Sequence, residues 1–233
     1  EVERIILVIG YQGDKLKRFL GNSYNGVEIV YIENENYNIT NNIYSVFLAR
    51  EYLKKDDTIL IESDLIFDPK ILDLLIENPT PSLVLVDKYR AWMDGTVVKL
   101  SKTDFTINSF VSKSEFSYSE VDEYFKTVNI YKFSQNFLER YYIPFLEAYS
   151  RAFGNNQYYE QVLSIIVNIG DLKLHALPLD GELWYEVDDL QDLDNAEVIF
   201  SEEQQAYQKI TKRYGGYWRY ENVIDFAYLV NPY

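Results

Sequence analysis

An alternation at the front of the chain constrains the fold most: apolar runs of strand length are separated by segments with helical spacing. Arg4-Ile5-Ile6-Leu7-Val8-Ile9-Gly10 is apolar from Ile5 to Ile9, as expected of a strand buried on both faces. Gly13-Asp14 followed by Lys15-Leu16-Lys17-Arg18-Phe19-Leu20 predicts a short helix behind it. Val27-Glu28-Ile29-Val30-Tyr31 reads as the next strand, residues 42–53 carry helical spacing at Ile43, Val46, Phe47 and Ala49, and residues 58–62 return to strand. This β-α-β-α-β order predicts an α/β fold with a mixed, mostly parallel sheet flanked by helices.

Further along, Asp68 and Pro69 mark a helix start whose buried face is Ile71, Leu72, Leu74 and Leu75, and residues 82–86 rejoin the sheet. Residues 96–100, 105–111 and 127–133 read as strands between polar, Ser-rich turns, a sheet extension suited to a substrate lid or wall. Helices are expected over 135–152, 157–169 and 189–200, with a strand over 173–177. A polar helix over 202–213 should stop at Gly215-Gly216, and the aromatic tail after it, 217–233, has the composition of a segment that docks on something.

A chain of 233 residues with 47% apolar content can bury the core of one main domain without disulfides. It has no Cys, which removes thiol catalysis and fits a reducing cytoplasm. No apolar run reaches the roughly 18–20 residues that span a bilayer, and Glu1-Val2-Glu3-Arg4 is unlike the basic start of a signal peptide, so the expectation is a cytoplasmic protein away from membranes. A formal charge of -15 argues against a duplex nucleic-acid binder, because affinity for a polyphosphate backbone comes from Lys and Arg. An enzyme of this charge that handles nucleotides needs a metal and a few well-placed cations.

Two acidic run-ends stand out. Ile59-Leu60-Ile61-Glu62-Ser63-Asp64 ends an apolar strand in carboxylates, at the edge where open α/β sheets bind ligands. Asp64 reads as a metal ligand, or else as a turn or cap acid. Trp184-Tyr185-Glu186-Val187-Asp188-Asp189 delivers a second set just before a helix, where acids also serve simply to stabilise the helix N-terminus. Taken together, Asp64 and Asp188 suit one Mg²⁺, which takes one or two protein carboxylates and fills its shell with water and phosphate oxygens.

Other candidates surround these acids in type rather than in sequence. Asn41, Asn42 and Ser45 precede or open a helix and offer groups that can read a base edge or ribose, or that cap the helix. Lys88, Arg90, Trp92 and Asp94 cluster after a strand, and Tyr158-Tyr159-Glu160 sets an aromatic beside an acid, suited to a cationic amine. Lys126 heads a strand and either meets a phosphate or is solvated. His175, inside an apolar strand, is assigned a structural role.

With these residues in view, the chain resembles bacterial nucleotidyltransferases of the sugar-nucleotide and choline-phosphate type, particularly the phosphocholine cytidylyltransferases. The landmarks are Val8-Ile9-Gly10-Tyr11, Tyr37 through the Asn41-Asn42-Ile43-Tyr44-Ser45 core, Glu62-Ser63-Asp64, and Trp184-Tyr185-Glu186-Val187-Asp188, over about residues 1–200. The resemblance implies a Rossmann-like (GT-A-like) fold, Mg²⁺ on Asp64 and Asp188, and a nucleotide site lined by Asn41, Asn42 and Ser45. It also implies that Trp92 and Tyr159 line a choline-like pocket, with Glu160 set beside Tyr159 for an ammonium or primary amine; Lys88 and Lys126, from the reading of the residues, complete the expected acceptor contacts. The family's opening strand and glycine-rich phosphate loop have no counterpart here, so the first strand and loop are expected to be missing.

Tyr214-Gly215-Gly216-Tyr217-Trp218-Arg219 and Asp225 to Tyr233 resemble the opening of a class I/II aminotransferase dependent on pyridoxal phosphate. The expected organisation is therefore a nucleotidyltransferase domain over 1–200, a connecting helix over 201–215, and the start of an aminotransferase-like domain over 216–233. The expected reaction is Mg²⁺-dependent transfer of CMP from CTP to a small phosphorylated or phosphonylated amino compound with release of pyrophosphate, in a bifunctional protein. The pyridoxal phosphate would belong to the fused domain alone, and the aromatic tail favours a homo-oligomer where its partner domain is missing. The alternatives are a sugar-phosphate nucleotidyltransferase using another nucleotide, and an inactive nucleotide-fold scaffold.

Overall fold

β1 (Arg4–Ile9) runs parallel to β3 (Val27–Glu33), joined by α1 (Gly13–Leu20), and the two-residue β2 (Ser23–Tyr24) pairs antiparallel with β3. The computed structural model describes residues 2–90, 93–112, 115–169 and 172–202. In this three-stranded sheet the order is β1-β3-β2, which leaves β1 at an edge. Ile5 to Val8 are consequently half-buried, short of the burial on both faces that their apolar run predicts. Gly10 closes the strand because its backbone lies against Tyr37: a Cβ there would stand 2.6 Å from the Tyr37 Cβ.

α2 (Asn42–Leu53) follows, with Asn41 as its N-cap and Ile43, Val46, Ala49 and Leu53 buried along one face. β4 (Thr58–Ile61) and β5 (Leu65–Phe67) flank the first acidic run, and α3 (Lys70–Glu77) starts where Asp68 Oδ1 accepts the Lys70 N–H at 3.0 Å. β6 (Leu83–Lys88), β7 (Val97–Leu100), β8 (Ile107–Val111), β9 (Tyr124–Phe133) and β10 (His175–Pro178) complete the larger sheet with β4. Its centre is β9, ten residues long, which begins three residues before the predicted strand start. One edge of β9 carries β6; the other is shared by β7 and β4, all antiparallel. Only β10 and β6 run parallel within this sheet among the described residues. The sheet is mixed, as expected, but its ladders lean antiparallel because the longest strand opposes all its neighbours.

The helix predicted over 135–152 is a composite of α4 (Gln135–Phe137), a π-helical turn (Leu138–Tyr142) and α5 (Ile143–Phe153). Pro144, in the first turn of α5, has no N–H to donate and its ring crowds the carbonyl one turn back, so the ladder widens just before it. α6 (Glu160–Ile169) packs with α5, and Phe133 stacks on Phe137 and Tyr142 at 5.1 and 5.8 Å in the core. β11 (Trp184–Glu186) and α7 (Leu190–Ile199) end the described chain. The helix expected over 202–213, past its first residue, and the tail expected to open an aminotransferase-like domain lie outside the described residues.

The chain falls into two compact units, one of Glu1–Ile61 and Leu74–Asp180, the other of Glu62–Asp73 and the chain from Gly181 on. The first holds both larger sheets and the main core. The second is built on β5 and β11. Among the described residues no helix is long and apolar enough to cross a membrane.

Candidate functional site

In the second unit, β5 and β11 form an antiparallel ladder pairing Leu65 with Glu186, Ile66 with Tyr185 and Phe67 with Trp184. Backbone bonds extend it at both ends: the Val187 N–H donates to the Asp64 carbonyl at 2.8 Å, and the Asp68 N–H to the Leu183 carbonyl at 2.8 Å. Trp184 and Tyr185 are buried, which anchors the short ladder. Two acidic runs more than a hundred residues apart in sequence are thereby fixed side by side.

The result is a group of three half-buried carboxylates, Glu62, Asp64 and Glu186, with ligand oxygens all within 4.8 Å of one another. Asp64 Oδ1 is buried and has no hydrogen-bond partner among the described residues. Three like charges this close repel, and an orphaned buried oxygen costs free energy, so the arrangement suits a hard cation that takes oxygen donors. The donor set fits Mg²⁺ by this test.

Asp188, the expected partner of Asp64, is exposed and outside the three-acid group. Its N–H donates to Asp192 Oδ2 at 3.2 Å, and the neighbouring Asp189 is the N-cap of α7, accepting from Gln191 and Asp192 in a capping box. One acid of this run thus does what the helix-start reading asks. Glu186, which the sequence reading quoted but did not select, is brought to Asp64 because the ladder seats it opposite Leu65. Counting the register from two short strands would have been needed to find it.

In the first unit, Asn41 Oδ1 accepts the Asn42 N–H at 2.8 Å, and Asn42 Oδ1 accepts the Tyr159 N–H at 3.0 Å. Capping is therefore realised at Asn41, while Asn42 ties α2 to the segment leading into α6. Ser45, one turn on, is half-buried. Lys88 donates to the Asp122 carbonyl and lies 4.7 Å from the Phe125 ring centroid. Trp92 lies outside the described residues.

Lys126 is not solvated: it is 1% exposed and its Nζ donates to the Thr127 carbonyl at 2.8 Å. Glu160, the first residue of α6, is also buried, with the Thr96 hydroxyl 3.4 Å from its Oε1. Thr96 also bonds to β9, where its carbonyl takes the N–H and the hydroxyl of Thr127, each at 3.1 Å. Tyr159 stacks edge-on against Tyr131 at 5.6 Å, and its carbonyl accepts the Tyr142 hydroxyl at 3.4 Å. Burial, and then the negative charge of Glu160, hold the Tyr142 phenol well above its ordinary range, so it stays protonated. Thr96, Thr127, Asn129 and Tyr142 were not singled out in the sequence; an Asn within a Val-, Ile- and Tyr-rich strand was the available signal.

Comparison with known proteins follows the same lines. CMP-5'-(3-aminopropyl)phosphonate synthase of Streptomyces rubellomurinus is 31% identical over 231 residues, covering 99% of this chain and 36% of that protein. The chain thus spans about a third of the length of this curated relative. No family model matches the chain. The CTP:phosphocholine cytidylyltransferase of Streptococcus pneumoniae superposes with a TM-score of 0.63 at 22% identity, over 85% of this chain and 79% of that one. The inositol-1-phosphate CTP transferase of T. maritima gives 0.60 at 20% identity, over 90% and 76%. The chain has the mixed-sheet, Rossmann-like fold of the nucleotidyltransferases.

Proposed function

We propose that the chain catalyses Mg²⁺-dependent transfer of CMP from CTP to a small phosphorylated or phosphonylated amino compound, with release of pyrophosphate. The observation that carries this reading is the convergence of Glu62, Asp64 and Glu186 around an orphaned Asp64 oxygen, in a chain of nucleotidyltransferase fold. The relative named for an aminopropylphosphonate product supports the acceptor class.

Asp64, with Glu62 and Glu186 gathered about it and Asp188 two residues further along, would hold the cation. Bound there, Mg²⁺ supplies charge neutralisation for the phosphates during in-line displacement. An anionic oxygen of the acceptor attacks the α-phosphorus, the new P–O bond forms, and the bond to the bridging oxygen breaks so that pyrophosphate leaves. The attacking oxygen is already deprotonated, so no side chain need remove a proton. Asn41, Asn42 and Ser45 are proposed for the nucleoside, and Lys88, Trp92, Lys126, Tyr159 and Glu160 for the acceptor, Tyr159 and Glu160 taking the amine by ring face and carboxylate. The length of the relative and the aminotransferase-like tail support a place in a larger, bifunctional protein.

The test is pyrophosphate release from CTP, ATP, GTP and UTP with 3-aminopropylphosphonate, phosphocholine and glucose 1-phosphate as acceptors. The reading expects release with CTP and an amino acceptor only, dependent on Mg²⁺. Release with the sugar phosphate, or with no acceptor preference, would contradict it.

A further inference from the structure

β9 contains a defect that a purely structural strand would not need. Its pairing with β6 shifts register between Val84 and Val86, which face Tyr131 and Thr127, so Val128, Asn129 and Ile130 stand against Leu85 alone. At the same place its other edge passes from β7, which pairs up to Lys126, to β4, which pairs from Ile130. Asn129 takes the left-handed conformation there, φ 60°, and is 4% exposed; its Oδ1 lies 3.0 Å from the Thr127 hydroxyl, whose one proton it shares with the Thr96 carbonyl.

Lys126 lies two residues before this bulge, and a second left-handed residue faces it. Gly95 has φ +94°, and a Cβ on it would stand 3.1 Å from both Cε and Nζ of Lys126. The Lys126 ammonium is thus seated against a bare glycine and bonded to the carbonyl of Thr127, the last paired residue before the bulge. A buried ammonium, a left-handed non-glycine residue and an interrupted ladder each cost stability, and apolar residues could fill the same volume without them. Such costs persist where the surrounding structure uses the strained element.

We infer that Asn129 and Gly95 are positioning residues that hold Lys126 as the cation for the anionic phosphonate or phosphate group of the acceptor. The inference rests on the proposed transfer to such an acceptor, and it assigns the fixing of that group to the β9 bulge. Left-handed backbone at 129 is the requirement, so glycine should serve there and a β-branched residue should not.

The test uses the full chain and 3-aminopropylphosphonate, with two readouts: steady-state KM for acceptor and for CTP, and calorimetric binding of the acceptor alone. Lys126→Met is expected to raise the acceptor KM at least about tenfold with the CTP KM within about twofold, a split that general loosening of the core would not give. Asn129→Val and Gly95→Ala should follow Lys126→Met, while Asn129→Gly should behave as wild type. An unchanged acceptor KM in Lys126→Met, or equal rises for acceptor and CTP, would overturn the inference while leaving the transfer reaction standing. Absence of turnover with every amino acceptor would sink the proposed reaction instead; the inference would then be decided by calorimetry, where no wild-type binding overturns it and binding lost in Lys126→Met supports it.

Discussion

The two compact units handle charge in opposite ways. The second gathers like charges, Glu62, Asp64 and Glu186, at the end of a two-strand ladder, half-buried. The first buries charges among polar groups: Lys126 on β9 against the Thr127 carbonyl, and Glu160 at the start of α6 against the Thr96 hydroxyl. Gathered acids are a cost until a cation arrives; a buried charge that meets a carbonyl or a hydroxyl of the fold has part of its desolvation offset there. The difference separates a place built to be completed by a ligand from one that is already set before the ligand comes.

The largest expected effect is at Asp64. Asp64→Ala should lower turnover by about 10³-fold or more without lowering the metal-free Tm, because it removes a group whose work lies in charge stabilisation and whose buried carboxylate costs stability until a cation arrives. Nearly as large is the effect of altering the end of β11: the double variant Glu186→Gln, Asp188→Asn should match Asp64→Ala, with each single variant milder. A fully active double variant would move the cation away from β11.

The next prediction sets the two units directly against each other by thermal denaturation in the absence of metal. Neutralising one gathered acid, Glu62→Gln, should raise Tm, whereas Lys126→Met should lower stability by about 3 kcal/mol, the order seen when one member of a buried charged set is removed. Equal signs for the two would erase the contrast.

A smaller effect concerns Tyr142, whose raised pKa fixes a sign. In the unfolded chain the phenol titrates near its ordinary value of 10.0; in the folded protein it titrates higher, held by burial and by Glu160. Its contribution to stability is complete below pH 10 and declines as pH rises above that value towards the folded pKa. Tyr142→Phe should therefore flatten the alkaline loss of stability, at a cost near neutrality of about 1 kcal/mol for the hydroxyl bond to the Tyr159 carbonyl. An alkaline limb equally steep in Tyr142→Phe would place its cause elsewhere.

What the sequence made legible follows a physical divide. Periodicity disclosed β1, β3, α2, β4, β6 and α7, because apolar spacing is a local property. It overstated the burial of β1, since edge position depends on which strands pair. It also missed the π turn ahead of Pro144, although the proline marked the place. The acidic strand end at Asp64 was readable for the same local reason. Glu186 was not separable from Asp188 without the β5–β11 register, because residues two apart share a strand face and a slip of two residues would exchange which of them lies opposite Leu65. Lys126 could be solvated or bound on sequence grounds; its burial depends on Gly95 and on the Asn129 bulge, and a glycine some thirty residues upstream gives no local sign of the side chain it will meet.

The account turns on the carboxylate group, and thermal denaturation with CTP tests it most directly. Wild-type chain, with and without Mg²⁺, should be stabilised by CTP only when the metal is present, by about 2.7 kcal/mol at 100 times Kd. Asp64→Ala should have a ligand-free Tm no lower than that of wild type and lose that metal-dependent gain. An Asp64→Ala variant that retains the full Mg²⁺-dependent stabilisation would contradict the claim that this carboxylate holds the cation.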